Sequence, residues 1–142
     1  TQVASSDANC LDDYEEGTFT PTVAGTTTAG VGVYSNQTGY YTKVGRLVTI
    51  TVYMNWTAHT GTGNMRFSNL PFTSANVATN YNGISIGYVN NIALTAGNVL
   101  YGLLELGTTY VTVTQSPTGG GSYSLVPIDI SAEIAFTATY FV

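Results

Sequence analysis

Residues 46–57, RLVTITVYMNWT, alternate without interruption. Val48, Ile50, Val52, Met54 and Trp56 fall on one parity, and Thr49, Thr51, Tyr53, Asn55 and Thr57 on the other. Period two is the side-chain period of a β-strand, and an amphipathic helix with its period of 3.6 cannot produce it. The stretch predicts a half-buried strand with an apolar inner face, Trp56 included, and a Thr-rich outer face. The pattern recurs over a greater length at 128–140. There Ile128, Ile130, Ala132, Ile134, Phe136, Ala138 and Tyr140 oppose Asp129, Ser131, Glu133, Thr137 and Thr139. It recurs again at 108–115, where Val111 and Val113 oppose Tyr110, Thr112 and Thr114.

Shorter strands are expected at 18–23, 31–35, 39–44, 65–68, 84–89 and 99–106. Turn signals separate them at Gly25, Gly30, Asn36, Gly61–Asn64, Asn82-Gly83, Asn90-Asn91, Gly97-Asn98 and Gly119–Gly121. The one helix-like spacing, Leu100, Leu103 and Leu104, is short and interrupted by Gly97, Gly102 and Gly107, so it reads as a buried strand. Many short strands without a helix indicate an all-β fold, a jelly-roll-like antiparallel β-sandwich.

Charge narrows the function. Only 8% of the 142 residues are charged, with three bases, eight acids and a net charge of -5. Three bases cannot neutralise a nucleic-acid backbone, so no nucleic-acid partner is expected. A hydrophobic content of 44% argues against disorder. No apolar run approaches the ~20 residues that span a bilayer, so no membrane insertion is expected. The lone Cys10 cannot form an intrachain disulfide. The start TQVASSDANC has no Met and no signal-peptide pattern, so the chain is expected to be a piece of a longer protein. The two Asn-x-Thr sequons, at Asn36 and Asn55, read as plain loop or strand positions.

Five of the eight acids, Asp7, Asp12, Asp13, Glu15 and Glu16, lie before residue 17. They lack the D-x-D-x-D-G spacing of a calcium loop. Residues 1–17 therefore read as an acidic connector from an upstream domain, and 18–142 as the sandwich. Lys43 and Arg46, two of the three bases, are expected to pair with this stretch in the same or a neighbouring chain.

The segment Leu11-Asp12-Asp13-Tyr14-Glu15-Glu16-Gly17-Thr18-Phe19-Thr20-Pro21 resembles a recurrent opening of the C-terminal β-domain of bacteriophage tail-fibre and tailspike proteins. Residues 39–48, GYYTKVGRLV, the segment Asn69-Leu70-Pro71-Phe72 and the terminal Thr139-Tyr140-Phe141-Val142 are similar to that family in order and spacing. Asn69 stands where a Gly is more usual. The resemblance implies a trimeric jelly-roll-like tip on a virion fibre that binds a receptor or glycan, sets trimer register, or does both. Its implied partners are further copies of itself, an upstream fibre domain and a bacterial surface glycan. Residues 11–16 with Lys43 and Arg46 would form the trimer junction.

Catalytic chemistry finds little support. His59 is the only His, so no zinc set exists, and neither cofactor nor metal is expected. No nucleophile-elbow sequence is present. Glu105, Asp129 and Glu133 are the acids beyond the connector. Asp129 and Glu133, four residues apart on one strand face, would stand about 13 Å apart. A glycosidase pair needs ~5–9.5 Å, so this fragment is expected not to be an enzyme. Sugar binding needs aromatic faces for C–H surfaces and amides for hydroxyls. Tyr53, Tyr81, Tyr110 and Tyr123 are the candidate exposed aromatics. Asn55, His59, Asn64, Asn80 and Asn82 are the candidate polar partners. A purely structural trimerisation module is the competing reading, and a glycoside hydrolase the third.

Overall fold

The computed structural model describes residues 13–78 and 80–142. Cys10, Leu11, Asp12 and the rest of the connector before Asp13 lie outside them. The strands are β1 (Tyr14–Phe19), β2 (Thr22–Gly25), β3 (Gly32–Val44), β4 (Leu47–His59), β5 (Met65–Ser68), β6 (Asn82–Asn90), β7 (Asn98–Leu104), β8 (Val111–Pro117), β9 (Ser124–Leu125) and β10 (Ala132–Phe141). No helix occurs among the described residues. The fold is all-β, and every strand pairing is antiparallel.

One sheet curls into two layers, in the order β1-β3-β4-β10-β6-β7-β8-β5-β2 with β9 on β8. Strand β6 makes the fold-over. Its first residues, Asn82 and Gly83, pair with β7, whereas Ile84 onward pairs with β10. We call β1-β3-β4-β10-β6 the front sheet and β7-β8-β9-β5-β2 the back sheet. The alternation anticipated in the two long strands fills the space between them. Val48, Ile50, Val52, Met54 and Trp56 of β4 are buried, as are Ala132, Ile134, Phe136, Ala138 and Tyr140 of β10. Met65, Phe67, Val111 and Val113 meet them from the back sheet. Phe67 stacks on Phe136 across the layers with ring centroids 5.3 Å apart. Trp56 lies in the core and its indole N–H donates to the Asp129 carbonyl at 3.0 Å.

Several local expectations change. Strand 18–23 is broken at Pro21, which lacks the N–H a ladder needs, into β1 and β2. Strand β1 begins at Tyr14 and runs through Gly17 to Phe19. Segments 31–35 and 39–44 are one 13-residue strand. Asn36 lies just past a bulge at Ser35, not in a turn. Ile128 and Ile130 precede β10, and Ile130 is 73% exposed. Thr112 and Thr114, expected on an outer face open to solvent, are buried. By register their neighbours are Arg66, Leu103, Tyr101 and Leu125, all larger.

Gly17 and Gly39 sit inside strands rather than in turns. Gly17 lies directly opposite Tyr41, and Gly39 opposite Phe19. Each aromatic ring covers the glycine facing it, and a Cβ on Gly39 would fall 2.5 Å from the Phe19 ring. Asn69 has φ 65°, a region that Gly and Asn tolerate best. Its side chain also donates to the Thr20 carbonyl at 2.6 Å.

Three outcomes follow for stability. Gly39→Ala should destabilise by about 1–3 kcal/mol through overpacking, read as a lower midpoint in thermal melting. Asn69→Val should cost about 1–3 kcal/mol from backbone strain, while Asn69→Gly should cost less; equal loss in both would locate the effect in the Thr20 bond alone. The Tyr140 hydroxyl donates to the Phe72 carbonyl at 3.2 Å, and burial pushes its pKa up to about 12. The folded state therefore holds Tyr140 protonated above its unfolded value of 10.0. Its contribution is intact below that pH and is lost as pH rises toward about 12. Denaturant titrations of Tyr140→Phe against wild type should show this alkaline loss in wild type and its reduction in the variant.

Candidate functional site

The outer face of the front sheet is a ladder of cross-strand rungs. One rung reads Thr18, Tyr40, Thr51, Thr137, Ser85. The next toward the far end reads Thr38, Tyr53, Ala135, Tyr88, and the last Asn36, Asn55, Glu133, Asn90. Two sequons thus face each other in paired strands, not in loops. The face is polar because β4 and β10 place their Thr, Asn and Glu parity here in a single register.

Tyr88 reaches this face through a bulge. The β6 pairing shifts between Ala135 and Phe136, so that Ile86 opposes Phe136 and Tyr88 opposes Ala135, leaving Gly87 as the extra residue. Ile84 and Ile86 pack against the core while Tyr88 is turned outward and is 47% exposed. Unbroken alternation would have put Tyr88 inside.

Glu133 gathers the cluster. The Tyr53 hydroxyl donates to its Oε1 and the Tyr88 hydroxyl to its Oε2, the latter at 3.3 Å. The Glu133 bond holds the Tyr53 hydroxyl above its ordinary pKa, chiefly because a carboxylate acceptor favours the neutral phenol. Tyr88 is also raised, first by desolvation and then by the Glu133 charge. Beside them lies a depression of about 290 Å³ lined by Asn55, Trp56, Thr57, Asn90, Asn91, Ser131, Ala132 and Glu133. A second of about 300 Å³ adjoins it through Asn91 and Ser131. Asn91, at φ 61°, donates to the Ser131 carbonyl at 2.8 Å and fixes the shared wall. The Asp129 carboxylate accepts from the Ala93 N–H at 2.9 Å. The arrangement offers exposed phenol rings, amides and a carboxylate acceptor on a shallow surface. Among the described residues no group of three or more His, Cys, Asp or Glu is placed to hold a metal ion.

Of the residues singled out from the sequence, Tyr53 and Asn55 come together here. His59 is not in an exposed loop: it ends β4 and is 8% exposed. Its Nδ1 accepts from the Gly61 N–H at 2.9 Å, so Nε2 carries the proton and donates to the Val23 carbonyl at 3.0 Å. Both ring nitrogens are thereby used within the fold. Tyr81 is exposed and precedes β6, and Asn82 starts it, bonded to the Asn80 carbonyl. Asn82 lies eight residues up the strand from Asn90, about 26 Å at ~3.3 Å per residue, and Tyr81 lies one residue beyond it. Tyr110 lies beneath the Arg66 guanidinium on the back sheet, 4.2 Å from its carbon. Tyr123, 68% exposed, belongs to the β8–β9 hairpin loop.

The junction residues also separate. Lys43 pairs with Asp13 of the same chain. Glu15 accepts from the Tyr41 hydroxyl at 2.8 Å and Glu16 from Tyr14 at 2.5 Å. Arg46 binds no acid among the described residues. Its Nε donates to the Val142 carbonyl at 2.9 Å and so ties down the chain end. Glu133 stands out in the sequence only as a candidate catalytic acid, and nothing in the alternation singles out Tyr88, Asn90 or Asn91 as its neighbours. The Asn90-Asn91 turn was the one signal pointing to this corner.

No protein-family model matches the chain, and no curated protein matches it. Among solved structures it is similar to the crystal structure of the Dettilon tailspike protein, with a TM-score of 0.70 and 23% identity. The match covers 91% of this chain and 24% of that one, so the chain spans about a quarter of the tailspike's length. What the two share is the fold.

Replacing Glu133 by Gln should lower the pH at which Tyr53 titrates, followed by NMR of its ring carbon. An unchanged titration would mean that Glu133 does not hold the phenol.

Proposed function

We propose that this domain is the receptor-binding part of a phage tailspike or tail fibre, and that it recognises a bacterial surface glycan without cleaving it. The tailspike fold over 91% of the chain supports the setting. The observation that carries the reading is the Tyr53–Glu133–Tyr88 cluster beside Asn55 and Asn90. The exposed Tyr88 ring supplies a surface for sugar C–H groups. The amides and the carboxylate supply hydrogen bonds to hydroxyls at a face with few competing charges. With both Glu133 oxygens engaged by phenols, the carboxylate serves as an orienting acceptor in this reading, not as an acid or a nucleophile.

A homotrimer on a virion, joined to an upstream fibre domain, is part of the same proposal. The competing reading, a module that only trimerises, draws on a different surface. Val99, Tyr101 and Leu125 of the back sheet are apolar and exposed, 41%, 51% and 38% respectively. Such a patch suits a contact between copies.

An array of bacterial surface polysaccharides tests the binding claim. The protein should bind at least one, and Tyr88→Ala and Asn55→Ala should each weaken that binding about tenfold, the range of a lost anchor residue. Unchanged binding in both variants would reject the site. Binding to none, with an intact trimer in sedimentation, would favour the trimerisation reading. A stable monomer at micromolar concentration would reject the trimer.

A further inference from the structure

Arg66 stands apart from the other two bases. Its neighbours in sequence, Met65 and Phe67, are fully buried, so the alternation of β5 sends Arg66 to the outer face of the back sheet. There its guanidinium lies over the Tyr110 ring, 4.2 Å from the centroid. The ring fixes the plane of the fork through a cation–π contact. Among the described residues no carboxylate lies within ion-pair distance of Arg66, and its Nε makes no hydrogen bond. Its register partner is Thr112. Arg66 Nε and Thr112 Oγ1 are both enclosed and both lack a partner. Enclosed polar atoms without partners are uncommon and mark a place where something else completes the bonding. The next strand continues the rung with Leu103, and Tyr101, two residues along, presents a ring 51% exposed.

We propose that Arg66, held by Tyr110 and backed by Thr112, is a subsite for the carboxylate of an acidic sugar. A guanidinium fork matches a carboxylate in two parallel bonds, which a lone ammonium cannot do. The sugar ring would then lie along Leu103 toward Tyr101. By strand spacing, Arg66 and Tyr101 are about 12 Å apart between Cα atoms, two strands across and two residues along, a span suited to a saccharide of one or two units. The ligand class is therefore a uronic or similarly carboxylated saccharide. This surface is separate from the Glu133 cluster on the front sheet, and either site can fail without the other. Glu105, which follows β7, is the acid nearest in sequence to this rung, and its carboxylate bonds no described residue.

Titration of the isotope-labelled chain with sodium glucuronate, methyl glucoside and sodium acetate tests the assignment. Glucuronate should shift the Arg66 Nε–H and the Tyr110 ring signals, and acetate should do so only at about tenfold higher concentration. Methyl glucoside should leave them in place. Arg66→Gln should abolish the response, and Arg66→Lys should weaken it about tenfold through loss of the fork. Both variants should melt within a few degrees of wild type. Raising the salt should weaken the response. No shift with glucuronate, an equal shift with methyl glucoside, or equal binding of acetate would overturn the proposal. So would a fall in oligomeric state on Arg66→Gln with no saccharide response in wild type, because the carboxylate would then come from a neighbouring copy.

Discussion

The pairing of β4 with β10 is the interaction on which the rest depends. It runs without a shift from Ala132 opposite Trp56 to Phe141 opposite Leu47. Because side chains alternate, this single register decides both faces together. It stacks Trp56, Met54, Val52, Ile50 and Val48 against Ala132, Ile134, Phe136, Ala138 and Tyr140 in the core. It also aligns Asn55 with Glu133, Thr51 with Thr137 and Thr49 with Thr139 outside. A slip of one residue would expose the whole apolar set, a penalty far larger than any single contact. The Asn55–Glu133 part of the candidate site therefore inherits its geometry from core packing, while the β6 bulge places Tyr88 and the Asn91–Ser131 bond fixes the adjoining wall.

The long alternations made the two central strands and their faces legible, and with them the all-β class. What stayed hidden depends on single residues that break the period. Gly87 adds one residue to β6 and moves Tyr88 from the inner to the outer parity. Asn36 pairs with Asn55 just past a bulge at Ser35, inside a 13-residue strand that continues across it. Ile130 falls just before β10, where the backbone has not yet joined the sheet. His59, a candidate sugar partner by its chemistry, is drawn inside by the Gly61 N–H and the Val23 carbonyl. Thr112 and Thr114 have surface chemistry but sit on a central strand among larger neighbours. Each outcome turns on a contact distant in sequence, which periodicity cannot register.

The scarcity of charge acquires a spatial meaning in the fold. At the β1 edge, Asp13 meets Lys43, while Glu15 and Glu16 accept from Tyr41 and Tyr14. A pair whose carboxylate stands open to solvent, as Asp13 does at 62% exposure, stabilises only by about 0–1 kcal/mol, so its use is to set the β1–β3 register rather than to hold the domain together. Glu133 is the acid at the centre of the front face, and Arg66 is the base of the back face. On a sheet surface otherwise built of Thr, Asn and Tyr, each is the strongest local electrostatic feature. The two faces thus offer opposite chemistry, a carboxylate acceptor framed by phenols and a guanidinium donor laid on one.

A front face that binds a glycan has to stay open to solvent, and under the proposed trimer it cannot be consumed by contact between copies. Hydroxyl-radical footprinting of the protein in solution measures this directly at Tyr40 and Tyr88, with Tyr81 and Tyr123 as exposed references. Tyr40 and Tyr88 should be modified at rates comparable to the references, and Tyr88 should become protected when a bound glycan is added. Protection of Tyr40 and Tyr88 in the ligand-free oligomer, relieved on its dissociation, would contradict it.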